Sequence, residues 1–483
     1  VIAALALMTS SLSAQQVHRS LSLDEAIALA KENNPDYQQQ RNDVGVARSA
    51  VRAAYGGLLP SVSANTSIGY TAPGELRFET ETFGTQPEVY SSSYGVGMNL
   101  QLSGTTLLQP SVERAQSRAT QRLVTGAEAD LEAQVASQYL EVLRARDQIA
   151  QARREVSRAD EYVRLANARL EVGAGTPLDV RRAEVQMGQA EVSVIQAENA
   201  AATAALMLGQ VVGVPLDPSV ELSSEFAIFQ PTWNVGELVS AALEANPRLL
   251  AAEASASAAR TTVSAARTSY LPSLNFNVGL RGYVSQYGSI DPLIDRQLAG
   301  INPAACERNN RISEMIGEPP QPCPDPADPA LREALRQELQ AQNRGFPFGY
   351  ENQPWNASVS ISLPIFTGFN RGLQVDQAQA ASADARYRVR AEELRLRQEV
   401  ASAVRNLDAG YRIALLQAEV VENASEELRL AQERFRFGAA SSVEVTDAQT
   451  NLTQAERDQI EAVYNFHQSL AALEALVGRP LRN

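Results

Sequence analysis

Two stretches of twelve residues, RLEVGAGTPLDV at 169–180 and RFRFGAASSVEV at 434–445, decide the architecture. Each holds a glycine, Gly173 or Gly438, followed by a hydroxyl residue, Thr176 or Ser441, and three residues later by an acid, Asp179 or Glu444. A glycine just past a helix supplies the left-handed conformation that ends it. Ser or Thr with an acid three positions on is the capping box that starts the next helix. Each stretch therefore predicts a helix, a tight turn and a return helix. Upstream of the first turn, Ser111 to Val172 contains no proline and one glycine, Gly126: 62 residues, or ~93 Å of helix. Its apolar residues keep a seven-residue step at Val135, Val142, Ile149, Val156, Val163 and Leu170, beside a seam of Ala145, Ala152, Ala159 and Ala166. The second turn is preceded by the same pattern, Val400, Leu407, Ala414, Val421, Leu428 and Phe435 beside Ala403, Gly410, Ala424 and Ala431. Sustained heptads predict left-handed supercoiling, and small residues let helices approach closely. The return helices run to near Gly213 and Gly478.

The spacing of 265 residues between the turns extends further: Ala190-Glu191 meets Ala455-Glu456, and Gly213 with Pro215 meets Gly478 with Pro480. Nearer the start the spacing is 212: Glu25 meets Glu237, Asn34-Pro35 meets Asn246-Pro247, and Leu59-Pro60-Ser61 meets Leu271-Pro272-Ser273. The chain reads as two tandem copies, 21–216 and 233–481, joined by a linker at 217–232. The 53-residue difference is an insertion within about 284–355 of the second copy. Each copy opens with a capped helix, as at Ser22 to Glu25, and a second helix that stops near Leu59-Pro60.

Between that second helix and the long one the period changes to two, which predicts strands with unlike faces. Val62, Ala64, Ile68 and Tyr70 alternate with Ser61, Ser63, Asn65 and Gly69, and Tyr94, Val96, Met98, Leu100 and Leu102 with Gly95, Gly97, Asn99 and Gln101. The second copy repeats this in Leu274, Phe276, Val278 and Leu280, and in Ala357, Val359, Ile361, Leu363 and Ile365. The strand pairs fall at about 61–102 and 273–366. Segments of about ten alternating residues suit a tilted transmembrane strand, and a membrane barrel must close without an edge. Four strands are too few for closure, bacterial barrels starting at about eight, so several chains are required; three would supply twelve strands, and two would supply eight around an interior filled by side chains. The alternative is a soluble sandwich packed on the helices.

Composition narrows the function. Acids outnumber bases 56 to 42, giving a net charge of −14, which argues against nucleic acid, a ligand bound through cationic contacts. No run reaches the ~18 apolar residues of a spanning helix. Two histidines and two cysteines leave little for a metal site or His-based catalysis. Gly95 and Gly97 lie on a strand, without the helix that a phosphate cradle needs, and His18 and His467 have no partners by spacing and suit a surface or tunnel wall. No enzymatic activity, cofactor or metal is expected. Residues 1–14 read as part of a secretory signal peptide, an apolar run followed by small polar residues. In an exported protein Cys306 and Cys323 are expected to form a disulfide, worth about 3 kcal/mol in the chain-entropy model; two unpaired surface thiols are the alternative. Asp328-Pro329 reads as a helix start within the insert.

The opening Leu21-Ser22-Leu23-Asp24-Glu25-Ala26 with Asn34-Pro35, together with the two turns, resembles the TolC-like outer membrane efflux proteins over nearly the whole chain. The resemblance implies an α+β membrane protein: a homotrimer whose twelve-stranded β-barrel sits in outer membrane lipid of a Gram-negative bacterium and continues into a long antiparallel α-helical coiled-coil tunnel in the periplasm. It implies a passive exit duct for small molecules, docked by a periplasmic adaptor and driven by an inner-membrane pump. A protein-secretion duct of the same fold and a soluble periplasmic coiled-coil scaffold are the alternatives. By the same resemblance Gly173, Thr176, Pro177, Leu178, Gly438, Ser441, Ser442 and Val443 meet the adaptor, and Glu444, Asp447 and Asp179 form the periplasmic gate. Asp179 and Glu444 also read as capping acids; Asp447 does not. Where one member of the family has an arginine two residues after the turn glycine that ties the gate shut, this chain has Ala440.

Overall fold

The structure, a computed structural model, describes residues 20–78, 81–224 and 226–481; the signal-peptide reading of residues 1–14 and His18 lie outside them. In chain order the elements are β1 (Ser20–Leu21), α1 (Leu23–Asn33), α2 (Pro35–Gly56), β2 (Ser61–Thr71), β3 (Gly74–Phe78), β4 (Glu81–Gln86), β5 (Val89–Leu102), α3 (Gly104–Glu171), α4 (Pro177–Val212), β6 (Glu221–Leu222), α5 (Val235–Ala245), α6 (Pro247–Arg267), β7 (Ser273–Tyr287), α7 (Asp291–Gly300), α8 (Pro303–Met315), α9 (Pro329–Gln342), β8 (Glu351–Asn352), β9 (Asn356–Ser362), α10 (Asn370–Arg436) and α11 (Ser442–Val477). They fall into two compact units, one helical (up to Arg52, Pro110–Ala266 and from Gly372 on) and one holding the sheet (Ala53–Gln109 and Arg267–Arg371). Among the described residues no helix is long and apolar enough to cross a membrane.

In the helical unit, residues related by the two spacings do the same work. The Asn34 side-chain amide donates to the Val211 carbonyl (2.8 Å) and its Oδ1 accepts from the Tyr37 backbone N–H; Asn246 donates to the Leu476 carbonyl (2.9 Å) and accepts from the N–H of Arg248 and Leu249. One buried amide thus joins the end of a short helix, the start of the next and the end of the return helix. Gly213 and Gly478 close α4 and α11 in the left-handed conformation, at φ 82° and 72°. A Cβ on Gly213 would lie 2.4 Å from the Asn33 carbonyl oxygen, and one on Gly478 2.9 Å from that of Ala245. Two cores follow the same duplication. Val135, Tyr139 and Val142 of α3 pack with Ala204, Ala205 and Leu208 of α4, and Val400 and Leu407 of α10 pack with Phe466, Leu470 and Leu473 of α11. In the small-residue seam, Ala145, Ala152, Ala159 and Ala166 are all buried. His467, expected at a surface or tunnel wall, is 2% exposed, its ring 5.2 Å from that of Phe466 and 5.5 Å from that of Phe226. Its helix face belongs to the core, which spacing within one helix does not reveal.

In the sheet unit the order is β2-β5-β7-β9, every pairing antiparallel, with β8 beyond β9 on the same edge of β7. Rows across the sheet alternate in character. Val62, Met98, Val278 and Ala357 form one row; Ser61, Asn99, Asn277 and Ser358 form the next. One face is therefore apolar and the other polar, as the period of two requires. Strands β2 and β9 pair on one side only, and every residue of both is exposed. The segment between β2 and β5 forms its own hairpin, β3 with β4. The insert between β7 and β9 folds as α7, α8 and α9. Cys306 and Cys323 are bonded, Cα atoms 5.7 Å apart, and Asp328 caps α9.

Two boundaries differ from the sequence reading. Helix α3 begins at Gly104 and runs through Pro110, because Ser103 caps it, its Oγ accepting from the Thr106 N–H at 3.1 Å. Strand β9 stops at Ser362 although the alternation continues to Ile365, because Pro364 lacks the N–H that the ladder needs.

Candidate functional site

The turns at Gly173 (φ 74°) and Gly438 (φ 75°) are built alike. Arg169 donates to the Ala174 carbonyl (2.7 Å) and Arg434 to the Ala439 carbonyl (3.0 Å), so each turn is held by an arginine from the preceding helix. Both capping boxes form: the Thr176 hydroxyl accepts from the Asp179 N–H and Asp179 accepts from the Thr176 N–H (3.0 Å), and Ser441 and Glu444 do the same.

The two hairpins meet around Ser442, which is 2% exposed. Tyr162 of α3 donates its hydroxyl to the Ser442 carbonyl at 3.2 Å, and Arg182 of α4 donates to the Ser442 hydroxyl at 3.0 Å. Burial pushes the Tyr162 phenol up. Hydrogen bonding to Ser442, then to Thr176, holds the Asp179 carboxyl below its usual range. The Tyr162 and Phe435 rings lie 5.7 Å apart, and the Arg169 guanidinium stands 4.1 Å over the Phe435 ring, a cation–π contact. Beneath them Ala166, Val180, Val445, Ala448 and Leu452 form one core contributed by both hairpins.

The residues singled out in the sequence thus divide. Ser442 is an internal link and leaves the set of surface contacts, because its side chain faces the other hairpin. Gly173, Thr176, Pro177, Leu178, Gly438, Ser441 and Val443 are exposed. Beside them two large apolar residues stand almost bare, Val172 at 77% and Phe437 at 82% exposed; both precede a turn glycine and are 265 residues apart, a signal within reach of the repeat. Glu444 accepts from Arg434 at 3.2 Å besides its cap. Asp447, one turn further along α11, is exposed, and its side chain makes no ion pair or hydrogen bond among the described residues. Asp179 is tied to the Ser442 link. Tyr162 and Arg182 were not legible, since both act across hairpins.

At the insert-bearing ends of the strands the apolar face carries aromatic residues. The rings of Tyr70 and Tyr90 are 5.2 Å apart, Tyr90 and Phe346 5.7 Å, and Tyr94 and Tyr350 4.9 Å. The Tyr94 hydroxyl reaches over Gly282 to Asn352 (2.6 Å). At the opposite ends Tyr270, Ile365, Phe366 and Phe369 are exposed. Aromatic girdles flanking an apolar band are the mark of an outer-membrane strand set.

An amphipathic antiparallel sheet with two open edges, joined in one chain to two capped coiled-coil hairpins, defines a class of membrane channel subunit. The chain belongs to the outer membrane efflux protein family, whose sequence profile matches residues 26–214 and 329–479. It is similar to the outer membrane protein TolC of Vibrio cholerae, 24% identical over 95% of this chain and 90% of that protein. It is likewise similar to the outer membrane efflux protein BepC of Brucella suis, 24% identical over 96% and 88%. The solved structure of CusC, described as undergoing changes that accompany folding and transmembrane channel formation, superposes with a TM-score of 0.71 at 17% identity, over 95% of this chain and 92% of that one. The fold is therefore the α+β barrel-and-tunnel fold of TolC-like channels.

Proposed function

We propose that this chain is the outer membrane exit duct of a tripartite efflux system, working as a homotrimer. The observation that carries the reading is the pair of open edges, β2 and β9, on a sheet with one apolar face. No backbone polar group can be left unpaired in lipid, so β9 of one copy pairs with β2 of the next, and three copies close a twelve-stranded barrel with its polar face inward. The aromatic rows at both strand ends support placement in outer membrane lipid, with the hairpins in the periplasm. The duct is passive: it catalyses nothing and binds no cofactor.

The hairpin turns form the periplasmic tip. Exposed Val172, Leu178, Phe437 and Val443, with the turn residues around Gly173, Thr176, Pro177, Gly438 and Ser441, present the apolar surface on which a periplasmic adaptor docks, itself coupled to an inner-membrane pump. Six carboxylates, Glu444 and Asp447 of three chains, ring the closed tip and draw cations into it. The Ser442 link to Tyr162 and Arg182 holds the two hairpins of each chain together at the tip. Expression in a strain lacking its own duct, with a matching adaptor and pump, tests the reading: restored resistance to small toxic compounds supports it. Restored export of a protein substrate, without resistance, would point to a secretion duct instead.

A further inference from the structure

In the four long strands β2, β5, β7 and β9, Arg281 is the one charged residue among the described residues. It stands on the polar face, in the row Asn65, Gly95, Arg281. The next row on that face is Ser63, Gly97, Gly279 and Asn356. The Asn65 amide lies over Gly95, its Oδ1 2.8 Å from where a Cβ would stand. A cation and an amide thus flank a glycine, with two more glycines beside them, so on the β5 side the wall next to Arg281 carries little side chain; on its other side the Gln353 backbone N–H donates to the Arg281 carbonyl (2.9 Å). The Arg281 side chain is exposed and makes no ion pair or hydrogen bond among the described residues. An unpaired charge in four otherwise uncharged strands is not there to hold strands together.

We infer that Arg281 is a specificity-determining residue: three copies form a cationic ring midway along the barrel strands that holds solutes bearing carboxylate or phosphate groups before release. The inference rests on the efflux-duct reading and names its substrate class. A guanidinium with its donors unspent binds oxyanions in bidentate fashion, and the field of such a ring reaches about 10 Å at 0.1 M salt, into the water that a solute must cross. Glu351 faces the same side one row further out, opposite Tyr283, where it opposes the ring. The ring and the carboxylates of the tip are therefore to be probed separately, from the two sides of the channel.

Inositol hexakisphosphate added to the extracellular side of purified full-length channels in planar bilayers is the probe. Wild type should be blocked from that side, Arg281→Gln should weaken the block at least fivefold, Arg281→Lys should keep most of it and Glu351→Gln should strengthen it. Equal block of wild type and Arg281→Gln, or no block of wild type, overturns the inference while leaving the duct reading intact. Should Arg281→Gln fail to insert, Glu351→Gln decides: stronger block supports the ring and unchanged block overturns it. A wild-type protein that forms no channel strikes the duct reading itself, and this inference with it.

Discussion

Cutting the link at Ser442 should open the tip. The Tyr162→Phe, Arg182→Gln double variant removes two hydrogen bonds, from the Tyr162 hydroxyl at 3.2 Å and the Arg182 guanidinium at 3.0 Å, and keeps the ring of residue 162 against Phe435. A neutral intramolecular hydrogen bond contributes about 1 kcal/mol net, and a charged one somewhat more when buried. The Arg182 bond is only part-buried, so the pair is worth about 2 kcal/mol per chain. That is roughly a 30-fold change in the ratio of open to closed tips if one chain's link governs the step, and more if three must yield together. Single-channel recording in planar bilayers reads the open fraction and conductance directly, and a thermal melt checks that the fold survives. An open fraction and conductance equal to wild type, in a variant that folds and inserts, would refute the assignment of Ser442 as the internal link.

The acids of the tip and the repeat offer further tests. Asp447→Asn should lower cation selectivity and block by multivalent cations with little loss of stability, and Glu444→Gln should add to both effects; reversal potentials in a salt gradient measure this. Asp179 has a depressed folded-state pKa, so its contribution to the link is full at neutral pH and lost as pH falls through that value, below the ordinary 3.8; channel opening recorded against pH should be flat near neutrality and rise only below about 4. Gly213→Ala forces a Cβ against the Asn33 carbonyl at a left-handed φ, which costs about 1–3 kcal/mol from the backbone alone. Gly478→Ala, with 2.9 Å in place of 2.4 Å, should lower the melting temperature less. Replacing Cys306 and Cys323 with alanine should loosen α8 to proteolysis and leave assembly intact, since the bridge lies wholly within the insert.

What was legible in the sequence was local or repeated. The capping boxes at Ser22, Thr176 and Ser441, the turn glycines and the start of α9 depend on residues within a few positions of one another, so their chemistry is written in order. The strands were legible because a sheet with two unlike faces imposes a period of two over its whole length. What stayed hidden needs two distant segments at once. Ser442 looks like any first-turn serine until Tyr162 and Arg182 are brought to it, and His467 looks polar until Phe226 and Phe466 enclose it. The start of α3 is hidden for a different reason: the proline-free run begins at Ser111, whereas the cap at Ser103 lets the helix begin before Pro110.

Cross-linking of the open edges probes assembly most directly. Within one chain β2 and β9 are separated by β5 and β7, about 14 Å at the usual strand spacing and well beyond the ~7 Å Cα limit of a disulfide. Cysteines placed one on β2, around Ser63, and one on β9, around Ser360, therefore cannot pair within a chain and must join neighbouring copies. In outer membrane fractions some pairs of this scan should give a covalent ladder that ends at three chains. A protein that stays monomeric at every pair, or that fractionates with soluble periplasmic proteins, would contradict a barrel closed by three copies.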